Sequence, residues 1–219
     1  MRTPLFASIV AGLALAIPAL AEIPEGDVYV TSDGTTISTG LIAEDESFTV
    51  PGVRVFFGEL GLDIPNVGED PGIKALPGTF ASGLIVGLEI TAALRKWNGV
   101  DFSTIPAETM TLDLGPIGPI TTPAFDSTVT GFQIPADGSG EWHHHPFFTL
   151  NGPASDGVYR IQLEIAADGG ARSDFFWLLW NQNADDATAQ AAYDNAVATI
   201  PAPASLAVAG LLLARRRRR

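Results

Sequence analysis

The chain has 219 residues, 25 of them acidic and 12 basic, and it contains no cysteine. A net charge of −13 repels nucleic acid and other polyanions and argues against them as partners. Without cysteine no disulfide framework is available, so the fold must be stabilised by burial or by a bound metal.

Residues 1–21, MRTPLFASIVAGLALAIPALA, have the parts of an export signal. Arg2 is the positive start, an apolar run extends from Leu5 to Ile17, and Ala19 and Ala21 flank Leu20 as a small-residue cleavage site. The run is shorter than the roughly 20 apolar residues that span a bilayer. The sequence therefore predicts a signal peptide over 1–21, signal peptidase as a partner, and a mature chain from Glu22. Setting aside Arg2 and Arg215–Arg219 leaves 6 of the 12 basic residues against all 25 acidic ones, a net charge near −19.

From Glu22 onward strand signals dominate. Short runs of strand character cover 27–31, 53–57, 84–97, 109–114, 128–134, 158–165 and 174–180. In the clearest, Tyr159, Ile161, Leu163 and Ile165 alternate with Arg160, Gln162 and Glu164, which predicts one buried and one wet face. Asp33-Gly34, Asn98-Gly99, Asp137-Gly138, Asp156-Gly157 and Asp168-Gly169 mark turns between runs. Glu69-Asp70-Pro71-Gly72 fits a type II turn with Pro71 and Gly72 at its centre. Segments 60–83 and 115–127 read as Gly- and Pro-rich ordered loops. The aromatic run of Phe175, Phe176, Trp177 and Trp180 reads as a core strand covered on both faces.

Beyond the strands, Ala189, Ala192, Tyr193, Ala196 and Val197 recur at helical spacing behind Asp185 and Asp186, predicting a helix within 184–200. The pattern as a whole predicts a mainly β fold: a single antiparallel β-sandwich over 22–183, of jelly-roll or immunoglobulin-like kind, with one C-terminal α-helix.

All three histidines stand together in EWHHHPFF, residues 141–148. On a strand, Glu141, His143 and His145 face one side while Trp142, His144 and Pro146 face the other, with alternate positions about 7 Å apart. Two imidazoles and a carboxylate on one face converge on one ion when another strand supplies a further ligand. The candidate ligands are thus His143, His145 and Glu141, and the donor set suits zinc or another transition metal. A hydrogen-bonded polar sheet edge is the alternative reading of the same residues.

No nucleophile elbow, phosphate-binding loop, dinucleotide fingerprint, HExxH helix or calcium loop is present. No catalytic residue is therefore assigned and the chain reads as a non-enzyme, with a secreted polysaccharide hydrolase as an alternative because 25 carboxylates admit many glycosidase pairs.

Residues 201–219 begin with Pro201, Ala202 and Pro203, continue through an apolar stretch from Ala204 to Ala214 and end in Arg215, Arg216, Arg217, Arg218 and Arg219. Eleven helical residues rise only about 16 Å, short of a roughly 30 Å hydrocarbon core. The arginines would be held on the cytoplasmic side after export. This order of parts resembles the PEP-CTERM sorting signal of Gram-negative bacteria, in a planctomycete-like variant with Ala202 where the family usually has Glu. The resemblance implies processing by an exosortase, transient membrane contact through the C-terminus, and delivery to the outer surface or extracellular matrix.

A second resemblance rests on His143 and His145 before an aromatic strand, on Gly157, Val158 and Tyr159, and on Asp70-Pro71-Gly72. These residues are similar to exported PEP-CTERM proteins associated with zinc limitation, and to repeats of actinobacterial surface-anchored proteins associated with metal transport. Some relatives place a histidine near the mature N-terminus, where this chain has Glu25-Gly26-Asp27; the departure removes that ligand and leaves only the oxygens of Glu25 or Asp27 to stand in for it. The function expected is that of an exported surface or matrix protein holding zinc. A structural or adhesive matrix component without metal, contacting exopolysaccharide, is the alternative.

Overall fold

The computed structural model describes residues 22–202. In chain order the elements are β1 (Asp27–Ser32), β2 (Thr36–Ile42), β3 (Thr49–Pro51), β4 (Val55–Glu59), β5 (Val67–Gly68), β6 (Ile73–Ala75), β7 (Ile85–Ile90), β8 (Arg95–Lys96) and β9 (Thr109–Leu114). They continue with β10 (Ile117–Thr121), β11 (Val129–Pro135), β12 (Trp142–His144), β13 (Phe147–Asn151), β14 (Gly157–Ala167), β15 (Arg172–Ser173), β16 (Phe176–Gln182) and α1 (Asp186–Thr199). The larger sheet runs β11-β7-β14-β15-β2-β1-β6-β12, with β16 and β8 also on β14, β4 on β16 and β3 on β2. The smaller runs β10-β9-β13-β5.

The fold is mainly β with one C-terminal helix, as expected, but the sheet is mixed rather than antiparallel. β1 with β6, β15 with β2 and β16 with β4 pair in parallel. Parallel partners need long crossovers, so the turn residues that announce hairpins do not reveal them. The 84–97 run divides into β7 and β8, and the expected loops contain β5, β6 and β10. β5 and β6 are too short to show an alternation, and β10 carries Gly118 and Pro119 at its centre. The expected type II turn is also absent, because Gly72 lies outside the left-handed region that such a turn requires.

β14 explains the core. Tyr159, Ile161, Leu163 and Ile165 are fully buried, as their alternation predicts. They share one cluster with Phe176, Leu178 and Trp180 of β16 and with Met110, Leu112, Phe148 and Leu150 of the smaller sheet. Each such side chain contributes about 1.5–3 kcal/mol on burial. The opposite face of β16 is covered too: Trp177 and Leu179 join Val158, Ala192 and Ala196 beneath the helix. The aromatic run is thus core at Phe176, Trp177 and Trp180, while Phe175 is half-buried under the Arg54 guanidinium.

The helix begins where Asp185 accepts a hydrogen bond from the Thr188 N–H at 2.8 Å. It ends before Pro201, because the residue preceding a proline avoids helical geometry. Ala189, Ala192 and Ala196 face the sheet, and their small side chains permit close approach. Val197, expected on that face, is 49% exposed. Among the described residues no helix is long and apolar enough to cross a membrane.

Candidate metal centre

β6 lies between β1 and β12 and sets the register of the site. His143 sits opposite Lys74 and His144 opposite Ile73, while Tyr29 and Val28 occupy the same two rows on β1. Residues in one row share a face of the sheet. Val28, Ile73, Ala75 and Trp142 therefore turn into the core, where each is at most 1% exposed. His143 and Lys74 turn outward. One row further on, the pattern brings His145, Gly72 and Asp27 together on that outer face.

Gly72 makes the last row work. A Cβ there would lie 2.6 Å from Cε1, 2.7 Å from Nε2 and 2.8 Å from Nδ1 of His145, so the imidazole rests against the bare backbone. The Gly72 N–H donates to Asp27 Oδ1 at 2.8 Å, which fixes the buried carboxylate and turns Oδ2 towards the histidines. His143 Nε2 lies 3.5 Å from Asp27 Oδ2, His145 Nε2 lies 3.9 Å from it, and the two Nε2 atoms are 3.0 Å apart. The circle through these three atoms has a radius of about 2.0 Å, the length of a Zn–N or Zn–O bond. An ion at its centre would therefore stand at bonding distance from all three, in place of the hydrogen bond that joins the two Nε2 atoms.

The second nitrogen of His145 is held as well. Its Nδ1 is 2.7 Å from Asp70 Oδ1, and since a carboxylate only accepts, the imidazole donates there and keeps the Nε2 lone pair for an ion. Burial, then Lys74 and His145, lower the pKa of His143 against the opposing pull of Asp27 and Glu141. Burial, followed by His143 and His145, lowers that of His144. A depressed pKa favours the neutral imidazole that metal ligation requires. Lys74 itself is paired with Glu46 at 2.5 Å.

Of the sequence candidates, the structure brings together His143 and His145 but not Glu141. Glu141 precedes β12, and its N–H is bonded to Asp137 Oδ1 in the preceding turn. It lies outside the cluster and acts on His143 only through its charge. Asp27, which the sequence offered only as a stand-in for a missing histidine, supplies the carboxylate, because β6 carries β1 alongside the histidines. Glu25 does not join the cluster and instead lines a neighbouring groove of about 630 Å³. Asp27, Glu44, Glu59, Asp70 and Asp186 also line it, and every charged residue on its walls is a carboxylate. The sequence offered no signal for the roles of Asp70 and Gly72 as orienting groups, since both depend on contacts across strands.

Pro201 and Ala202 of the expected sorting signal are exposed, and the Pro201 carbonyl accepts a hydrogen bond from Arg54 Nη1 at 2.6 Å. Ala19, Ala21, Pro203 and Arg215–Arg219 lie outside the described residues. No protein-family model matches the chain, and no curated protein or solved structure shows detectable similarity to it.

Proposed function

We propose that the protein is an exported, non-enzymatic surface or matrix protein that binds a transition metal, zinc foremost, through Asp27, His143 and His145. The observation that carries the metal reading is the donor triangle, whose radius of about 2.0 Å equals a zinc–ligand bond. Supporting it, Asp70 holds the far nitrogen of His145 and Gly72 holds the Asp27 carboxylate, the outer-shell arrangement that orients metal ligands. Export and sorting by an exosortase are supported by the parts of the two termini: Arg2, Ala19 and Ala21 at one end, Pro201, Ala202, Pro203 and the five arginines at the other.

Zinc titration of the chelator-treated protein by calorimetry tests the reading. The expected result is 1:1 binding that disappears in the His143→Ala/His145→Ala double variant. Binding no stronger in the parent than in that variant would reject it and leave an acidic surface that collects cations without a site.

A further inference from the structure

We infer that an ion held by Asp27, His143 and His145 keeps one coordination position open, and that this position takes a neutral donor, water at rest or an incoming imidazole, in preference to an anion. The inference rests on the metal reading of this site and adds to it how the ion is exchanged.

Geometry supplies the open position. The ion that satisfies all three donors lies close to their plane, because the radius of their circle already equals a bond length of about 2.0 Å. Three protein donors fill three of the four positions that zinc takes and leave the fourth. No fourth His, Asp or Glu donor joins the group among the described residues. Asp70 is occupied at the opposite nitrogen of His145, where it orients the ring rather than reaching the ion. The site is also accessible. The side chains of His143 and His145 are 31% and 38% exposed, and both Asp27 and Asp70 line the acidic groove. Structural zinc sites are closed by four protein ligands, whereas three ligands and an approach from solvent belong to sites that exchange a ligand.

Charge decides which donor enters. A divalent ion is already balanced by the carboxylates of Asp27 and Asp70, and the groove adds Glu25, Glu44 and Glu59. The cation beside His143, Lys74, is paired with Glu46. An anionic ligand would therefore bring negative charge into a region that already has an excess of it, while water or imidazole adds none. A neutral nitrogen donor of this kind is the side chain of histidine. Its entry before the protein ligands leave would allow the ion to pass to a histidine-bearing partner without being released into solution.

The test uses the purified protein loaded with Co²⁺, whose visible absorption reports coordination number and donor type. Loading is first verified as 1:1 by calorimetry, and imidazole and azide are then titrated separately. Imidazole is expected to change the spectrum saturably, with half-saturation at a concentration at least tenfold below that of azide. A spectrum insensitive to both would show a closed site and overturn the inference while leaving the metal reading intact. Tighter binding of azide than of imidazole would overturn the charge argument. Failure of Co²⁺ and Zn²⁺ to bind at all would reject the metal reading itself, and the inference with it.

Discussion

Replacing Gly72 by alanine tests the site without touching a ligand. The added Cβ would stand 2.6 to 2.8 Å from three atoms of the His145 ring. Non-bonded carbon atoms settle about 3.5–4.0 Å apart, so the ring must retreat by about 1 Å. Metal–ligand distances tolerate only about 0.2 Å, so His145 cannot retreat that far and stay a ligand. The backbone accepts alanine, since Gly72 is outside the left-handed region, and its N–H to Asp27 survives the change. The ring is 38% exposed and has room to swing outward. Zinc affinity should therefore fall by at least ~10–100-fold, the loss that follows removal of an orienting group alone. The ion-free protein should keep its unfolding temperature within about 4 °C, the shift expected for roughly 1 kcal/mol in a domain of this size. Competition with a chromophoric chelator measures the first quantity and circular dichroism on heating the second. A Gly72→Ala protein that binds zinc as tightly as the parent, with unchanged stability, would refute the placement of His145 in the site.

Two further outcomes follow from the same geometry. Asp70→Asn keeps an acceptor for His145 Nδ1 but removes its charge, and should weaken zinc by ~10-fold with 1:1 stoichiometry retained; loss of stoichiometric binding would make Asp70 a ligand instead. The lowered pKa values of His143 and His144 mean that the unfolded chain binds their protons first as pH falls. Their contribution to the stability of the ion-free protein is thus complete above the usual value of 6.5 and is lost as pH falls from there towards the lowered folded values. Relative to a His143→Gln/His144→Gln variant, the parent should lose unfolding temperature between pH 7.5 and 5.5, and a constant difference across that range would contradict the sign.

The alternation of Tyr159, Ile161, Leu163 and Ile165 was legible because a half-buried strand needs an apolar residue at every second position, and each of the four is fully buried. The helix was legible for the same kind of reason, with Asp185 capping a run of alanines. The outward face shared by His143 and His145 also followed from strand period alone. What period cannot express is which strand lies next to which. The smaller strands β5 and β6, two and three residues long, carry no pattern of their own, yet β6 decides the site. It pairs in parallel with β1 and antiparallel with β12, and so replaces the local carboxylate Glu141 with Asp27, more than a hundred residues away. A sequence determines the faces of its strands through local backbone geometry. Only the tertiary pairing of those strands decides which faces meet, because backbone hydrogen bonds across a sheet join residues regardless of their separation along the chain.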